Sequence, residues 1–234
     1  MNRLEILKTI KKAKNSTFKN HIFGTTNKKL MSQGIISFDL PPVTTCPFKS
    51  SCYTKDEKGY NCFAVGIYNR YPNVKRKWDK NEIISKSESF VSIANESLKA
   101  LPNTKFVRIH ASGDYYSKDY LKKWVKIAKM NPNVIFYSYT KSAVLFKGLK
   151  LPTNFLVCQS LPLLKDIYFQ SNLVHAQVFY TLESYNNAIN YGGYIGAKDE
   201  DLEAVKAMVQ NKNIALLDNK IKAQIKRNNK KQLV

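Results

Sequence analysis

The second half of the chain alternates between short apolar segments and amphipathic segments, and this alternation constrains the fold more than any other feature. Residues 105–110 and 134–139 predict strands. Between them, Leu121, Trp124 and Ala128 recur at the spacing of one helix face, and Ser117 can cap that helix. Two strands joined by an amphipathic helix favour a parallel pair with a right-handed crossover.

The same alternation extends over most of the chain. Further strands are predicted at 34–40, 154–159 and 174–182, and helices at 81–101, 143–149, from about residue 183, and 198–210. Repeated strand–helix units predict an α/β fold, either a partial (β/α) barrel or an open parallel sheet. Since no linker interrupts the pattern, we expect one domain over residues 1–234. Within it we expect a basic N-terminal helix and loop at 1–30, a cysteine loop at 45–80 and a basic tail at 218–234.

Polar residues follow two of these strands. His110, Gly113 and Asp114 come directly after the strand at 105–110, and Thr140 and Lys141 end the next one. Parallel strands bring their carboxyl ends to one edge of the sheet, where α/β proteins have their sites. The alternative is that Asp114 makes a turn, the histidine belongs to the core and the lysine is solvated.

Three of the four cysteines, Cys46, Cys52 and Cys62, lie close together in a polar segment without periodicity. Clustered intracellular cysteines more often bind a metal or an iron–sulfur cluster than form disulfides. Three thiolates leave a fourth position open, and Cys158 could close it. Cys158 lies in an apolar strand, however, so it could equally be a small buried core residue.

The charge of the chain indicates a polyanionic partner. The formal net charge is +21, with 38 Lys and Arg against 17 Asp and Glu. Phosphate contacts of basic side chains release counterions, so nucleic acid is the expected partner. No window is long and apolar enough for a membrane span or a secretory signal, so we expect a cytoplasmic protein without a membrane partner. The candidate residues for contact with nucleic acid are Lys75, Arg76, Lys77, Lys222, Lys226 and Arg227.

Several segments together resemble a known family. FDLPPVTTCPFKSSCY, then CFA from Cys62, RIHASGDYYS and FYSYTKS are similar to motifs of the phage and plasmid gene product 88 family of uncharacterised proteins, over about residues 30 to 142. Clustered cysteines before a Gly-Asp strand end and a Thr-Lys strand end also look distantly similar to radical S-adenosylmethionine enzymes. Those enzymes carry C-x3-C-x2-C, whereas this chain has C-x5-C-x9-C. The second resemblance implies a [4Fe–4S] cluster and S-adenosylmethionine.

These observations predict a metal- or iron–sulfur-dependent protein of a mobile element that acts on nucleic acid. The alternatives are a zinc-stabilised nucleic-acid-binding protein without catalysis and an accessory protein that binds another protein. Under the first hypothesis, the catalytic residues are His110, Asp114 and Lys141, the cofactor-binding residues are Ser112, Gly113 and Thr140, and the metal ligands are Cys46, Cys52 and Cys62.

Overall fold

The computed structural model describes residues 22–50, 52, 55–56, 59–60, 62–197 and 201–231. The basic N-terminal helix that the sequence predicts lies outside these residues.

Seven strands form one sheet in which every neighbouring pair is parallel. Its strand order is β1-β4-β5-β6-β7-β9-β8. Strands β2 and β3 form a separate antiparallel pair within residues 45–80, the predicted cysteine loop, which we call the cysteine segment. The strands are β1 (Ile35–Phe38), β2 (Lys55–Asp56), β3 (Gly59–Tyr60), β4 (Phe106–Ile109), β5 (Ile135–Thr140), β6 (Phe155–Ser160), β7 (Val174–Phe179), β8 (Ile195–Gly196) and β9 (Ile214–Leu217).

The described residues also form α-helices and short 3-10 turns, among them the turns at Ala143–Phe146 and Asp166–Tyr168. None of these helices is long and apolar enough to cross a membrane. The α-helices are α1 (Lys28–Met31), α2 (Phe63–Arg70), α3 (Pro72–Lys86), α4 (Phe90–Lys99), α5 (Lys118–Met130), α6 (Leu182–Asn190), α7 (Asp201–Val209) and α8 (Asn219–Lys231).

The helices cover both faces of the sheet, and the strand order explains why. From β1 to β7 the sheet grows in one direction, and α4 and α5 pack on one face of it. The connection from β8 to β9 runs back in the opposite direction, and a right-handed crossover then requires its helix to lie on the other face. Helix α7 lies there and packs on Tyr137, Cys158 and Ile214. The sheet is therefore open, which is one of the two predicted architectures.

An ion pair attaches α7 to this second face. Arg108 of β4 donates to a carboxylate oxygen of Asp201 over 2.9 Å, and the hydroxyl of Tyr137 donates to the same oxygen over 3.1 Å. The first residue of α7 is thus bound to two neighbouring strands.

Helix α5 forms as the sequence predicts. The Oγ of Ser117 accepts a hydrogen bond from the backbone N–H of Tyr120 over 3.1 Å, which caps the helix. Leu121, Trp124 and Ala128 are completely buried against the sheet.

The structure differs from the sequence prediction around α2 and α3. Residues 63–80 were expected to belong to an aperiodic loop, and they are mostly helical. Helix α3 buries two polar residues, Asn81 and Ser85, beside the apolar Trp78 and Ile84, so its buried face carries a weak hydrophobic pattern. The amide of Asn81 is nevertheless well bound, since it donates to the backbone oxygens of Ile22 and Asp39.

Candidate functional site

Polar side chains link the carboxyl ends of β1, β4, β5 and β6, each reaching to the next strand. We call Asp39, Asp114 and Lys141 the carboxyl-edge clasp. The three residues follow or end three neighbouring strands of the sheet.

Asp39 makes the first link, from β1 to β4. One of its oxygens accepts from the backbone N–H groups of Ala111 and Ser112, over 2.7 and 3.3 Å. The other oxygen accepts from the Oγ of Ser37 over 2.8 Å. Burial raises the pKa of this carboxyl, and these hydrogen bonds act in the opposite direction. Sequence reasoning missed Asp39, although it follows a strand just as Asp114 does.

Asp114 makes the second link, from β4 to β5. Its Oδ1 accepts from the hydroxyl of Thr140 over 2.6 Å and from the N–H of Tyr115 over 2.7 Å. Its Oδ2 accepts from the N–H of Lys141 over 2.8 Å. Burial again raises the pKa of the carboxyl. Predicted catalytic and cofactor-binding residues therefore meet here, and they bind one another.

Lys141 makes the third link, from β5 to β6. Its Nζ donates to the backbone oxygens of Ser160 and Pro162, over 3.0 and 2.7 Å. Burial lowers the pKa of the ammonium group, whereas the nearby Cys52 and Asp114 raise it. The ammonium group of Lys141 thus lies near both Asp114 and the cysteine segment.

His110 points away from the clasp. Strand alternation would turn it towards the face that Arg108 occupies, but its φ of +67° turns it into the core. There its Nε2 lies 2.9 Å from the hydroxyl of Tyr120, and its ring packs against Tyr115. Burial lowers the pKa of His110 to about 3, so the imidazole is neutral at physiological pH.

The first part of the cysteine segment packs on top of the clasp, at the carboxyl edge. Gly113 permits this contact, because a Cβ there would lie 2.5 Å from the Cβ of Leu40 and 2.7 Å from the Oγ1 of Thr45. Further along, the Oγ of Ser50 donates to the backbone oxygen of Pro162 over 2.8 Å. These contacts place this part of the cysteine segment at the edge where the strands end.

Cys46, Cys52 and Cys62 are all partly buried. Burial raises the pKa of the Cys46 thiol to about 12, and the charges of Asp114 and of the other two cysteines raise it further. Within the described ranges, no three His, Cys, Asp or Glu side chains form a group that could hold a metal ion. Cys158 lies in the apolar cluster under α7, where burial raises its pKa.

Not all of the predicted nucleic-acid contacts face solvent. Lys77 is partly buried and donates to the backbone oxygen of Phe23, and burial lowers its pKa to about 8. Lys75 is exposed but forms an ion pair with Asp79 at 3.0 Å. Arg76 and Arg227 are exposed. Helix α8, which carries the last three predicted residues, begins just after the carboxyl end of β9.

A known family matches almost the whole chain, including the residues of the carboxyl-edge clasp. The family model described as Gene product 88 matches residues 6–232. The chain belongs to the Gene product 88 family. Family membership thus extends well beyond residues 30 to 142, where the resemblance was noticed. No curated protein and no solved structure matches the chain, and no comparison supports the similarity to radical S-adenosylmethionine enzymes.

Proposed function

We propose that this protein binds an iron–sulfur cluster through Cys46, Cys52 and Cys62 and acts on nucleic acid. The observation that carries the proposal is the position of the cysteine segment at the carboxyl edge of the sheet, where it packs over Gly113 and Ser50 donates to the backbone oxygen of Pro162. This edge is where α/β folds bind their ligands.

Cys46, Cys52 and Cys62 are not grouped closely enough in this structure to hold a single metal ion, and their donor chemistry suits a cluster better. A thiolate at the partly buried Cys46 is unfavourable beside the carboxylate of Asp114, as the raised pKa of the thiol indicates. Iron held by these residues would supply positive charge there and would favour the thiolate form of Cys46. The thiolates of a cluster bind different metal atoms, so their sulfur atoms can lie farther apart than the four ligands of a single zinc ion.

The roles of the other residues follow from their contacts. Asp114 and Lys141 hold the ends of β4, β5 and β6 in register beneath the cysteines. The ammonium group of Lys141 offsets negative charge at Cys52. A cluster with three cysteine ligands supplies electron transfer and an open iron for a cosubstrate such as S-adenosylmethionine.

Charge supports nucleic acid as the partner. Helix α8 carries six Lys or Arg and not one acidic residue in its sequence, within a chain of net charge +21. Its Ile221 and Ile225 pack on the body of the protein, beside Ala215 and Leu217 of β9. The helix is therefore a docked part of the fold that carries a high density of positive charge.

We expect anaerobically prepared protein to contain iron and sulfide and to absorb visible light broadly. Replacing Cys46, Cys52 and Cys62 with alanine removes the thiolate ligands and should remove the iron and the colour. Metal analysis and the visible spectrum measure both.

The matched control is Cys158→Ala, which removes the remaining thiol. This variant should lose some stability, because the side chain is buried, but keep its iron. A colourless protein that contains zinc would overturn the cluster in favour of a zinc site. Iron content that falls as much in Cys158→Ala as in the triple variant would contradict the proposed ligand set.

Nucleic-acid binding should weaken steeply with salt. For each phosphate neutralised, the logarithmic slope is about −0.9 on duplex and about −0.7 on single strands. Replacing Lys222, Lys226 and Arg227 with glutamine should make the slope shallower by about two phosphate equivalents. Fluorescence anisotropy over a salt series measures this slope.

The control removes the same charge from the outer face of α5, through glutamine at Lys122, Lys126 and Lys129, all of which are exposed. Equal slopes for both variants would mean that the charge acts non-specifically. Absence of binding by the intact protein at low salt would rule out nucleic acid as the partner.

A further inference from the structure

Large apolar side chains are exposed on the two segments that follow β6 and β7. Ile167 is 82% exposed and Tyr180 is 71% exposed. Both segments leave carboxyl ends of adjacent parallel strands, so they lie at the same edge as the clasp. We call the following residues the rim: Leu164, Ile167, Phe169, Tyr180 and Leu182.

The rim adjoins the cysteine segment. The ring of Phe48 packs edge-on against Tyr168, with 5.2 Å between centroids. The bond from Ser50 to Pro162 joins the same two segments a few residues earlier. A ligand that lies along the rim therefore reaches the neighbourhood of the cysteines.

The rim also adjoins the basic helix α8. The backbone N–H of Asp218 donates to the oxygen of Phe179 over 2.9 Å, which brings the end of β9 beside Tyr180. Helix α8 begins at the next residue, Asn219. The acidic residues in these segments are Asp166, Glu183 and Asp218, and Asp218 accepts from the backbone N–H of Lys220.

We propose that the rim is a stacking platform for the unpaired bases of a single-stranded nucleic acid whose phosphates follow α8. The inference rests on the proposed nucleic-acid function and adds the class of strand. The centre of a protein interface is depleted of charge, whereas a helix of cations without acids flanks this surface. A single-stranded nucleic acid has negative phosphates, which suit α8, and flat apolar base faces, which suit the rim. A duplex keeps its base faces inside the stack.

The test compares the affinities of three variants for a labelled single strand of about 20 nucleotides and for the same strand annealed to its complement. Tyr180→Ala and Phe169→Ala should each weaken single-strand binding by about 5- to 100-fold, because each removes the aromatic ring on which one base stacks. Duplex affinity should change much less.

The matched control is Tyr191→Ala. Tyr191 is 86% exposed but lies at the other end of α6, near the amino ends of the strands. Its removal should leave both affinities unchanged, and thermal melting checks that all three variants fold.

Three results would overturn the platform. If the rim variants bind single strands as the Tyr191 variant does, or lose duplex and single-strand affinity equally, the platform is wrong although the nucleic-acid function stands. If the intact protein binds neither probe at low salt, the nucleic-acid function fails, and the platform fails with it.

Discussion

Replacing Asp114 with alanine is expected to lower the free energy of unfolding by about 3–5 kcal/mol. The substitution leaves the N–H groups of Tyr115 and Lys141 and the hydroxyl of Thr140 without their acceptor. Each buried donor that loses its partner costs about 1–3 kcal/mol. Urea denaturation followed by circular dichroism measures the loss.

Asp119→Ala is the matched control for this experiment. Asp119 is also an aspartate near the start of α5, but its side chain is 88% exposed. It favours the helix N-terminus, so its removal should cost no more than about 1 kcal/mol. If the two variants lose the same stability, the clasp does not hold the sheet edge together.

Acid should destabilise the protein through His110. Burial lowers the pKa of His110 from an ordinary 6.5 to about 3, so the unfolded chain binds a proton that the folded chain excludes. The stability from this group is complete above pH 6.5 and is lost as the pH falls towards 3. The expected slope is about 1.4 kcal/mol per pH unit inside this window, which gives a total of about 4–5 kcal/mol.

The buried carboxyls of Asp39 and Asp114 act with the opposite sign. Their raised pKa values make their contribution complete below the ordinary carboxyl pKa and remove it as the pH rises through the folded value. When the stabilities of two proteins that both contain these carboxyls are subtracted, the contributions of the carboxyls cancel. The comparison is therefore between the wild type and His110→Asn, since asparagine tolerates the positive φ at this position.

The stability difference between these two proteins should shrink as the pH falls from 7 to 4, as measured by urea denaturation at each pH. His175→Gln is the control, because His175 is partly exposed and bonded to Tyr194, and burial lowers its pKa less strongly. Parallel pH curves for the wild type and His110→Asn would show that the buried imidazole does not carry the acid sensitivity.

Regular periodicity made much of the sheet predictable. The segment from β4 through α5 to β5 has alternating strands, a capping serine and a continuous apolar stripe, and it forms as predicted. Only the end of helix α3, from residue 81, was predicted as helical, within a single helix at 81–101 that the structure divides into α3 and α4. Strand β9 is a short apolar run, IALL, and such a run does not by itself distinguish a strand from a helix.

The candidate site was likewise predictable from the sequence only in part. Position in the sequence was enough to predict that Asp114, Thr140 and Lys141 meet at one sheet edge, since parallel strands end together. It was not enough to predict that Asp114 binds the other two, because that depends on distances across neighbouring strands. The direction of His110 was equally hidden, since it depends on a single backbone dihedral.

The sequence by itself determined the α/β class, the parallel pairing of β4 with β5 and the family, because each depends on local pattern or on motifs. Only the tertiary structure decided that the sheet stays open, since this required α7 to cross to the second face and bind Arg108 through Asp201. It also decided that Asp39 joins the clasp and that Lys77 turns inward. These outcomes depend on contacts between residues far apart in the chain, which no local pattern encodes.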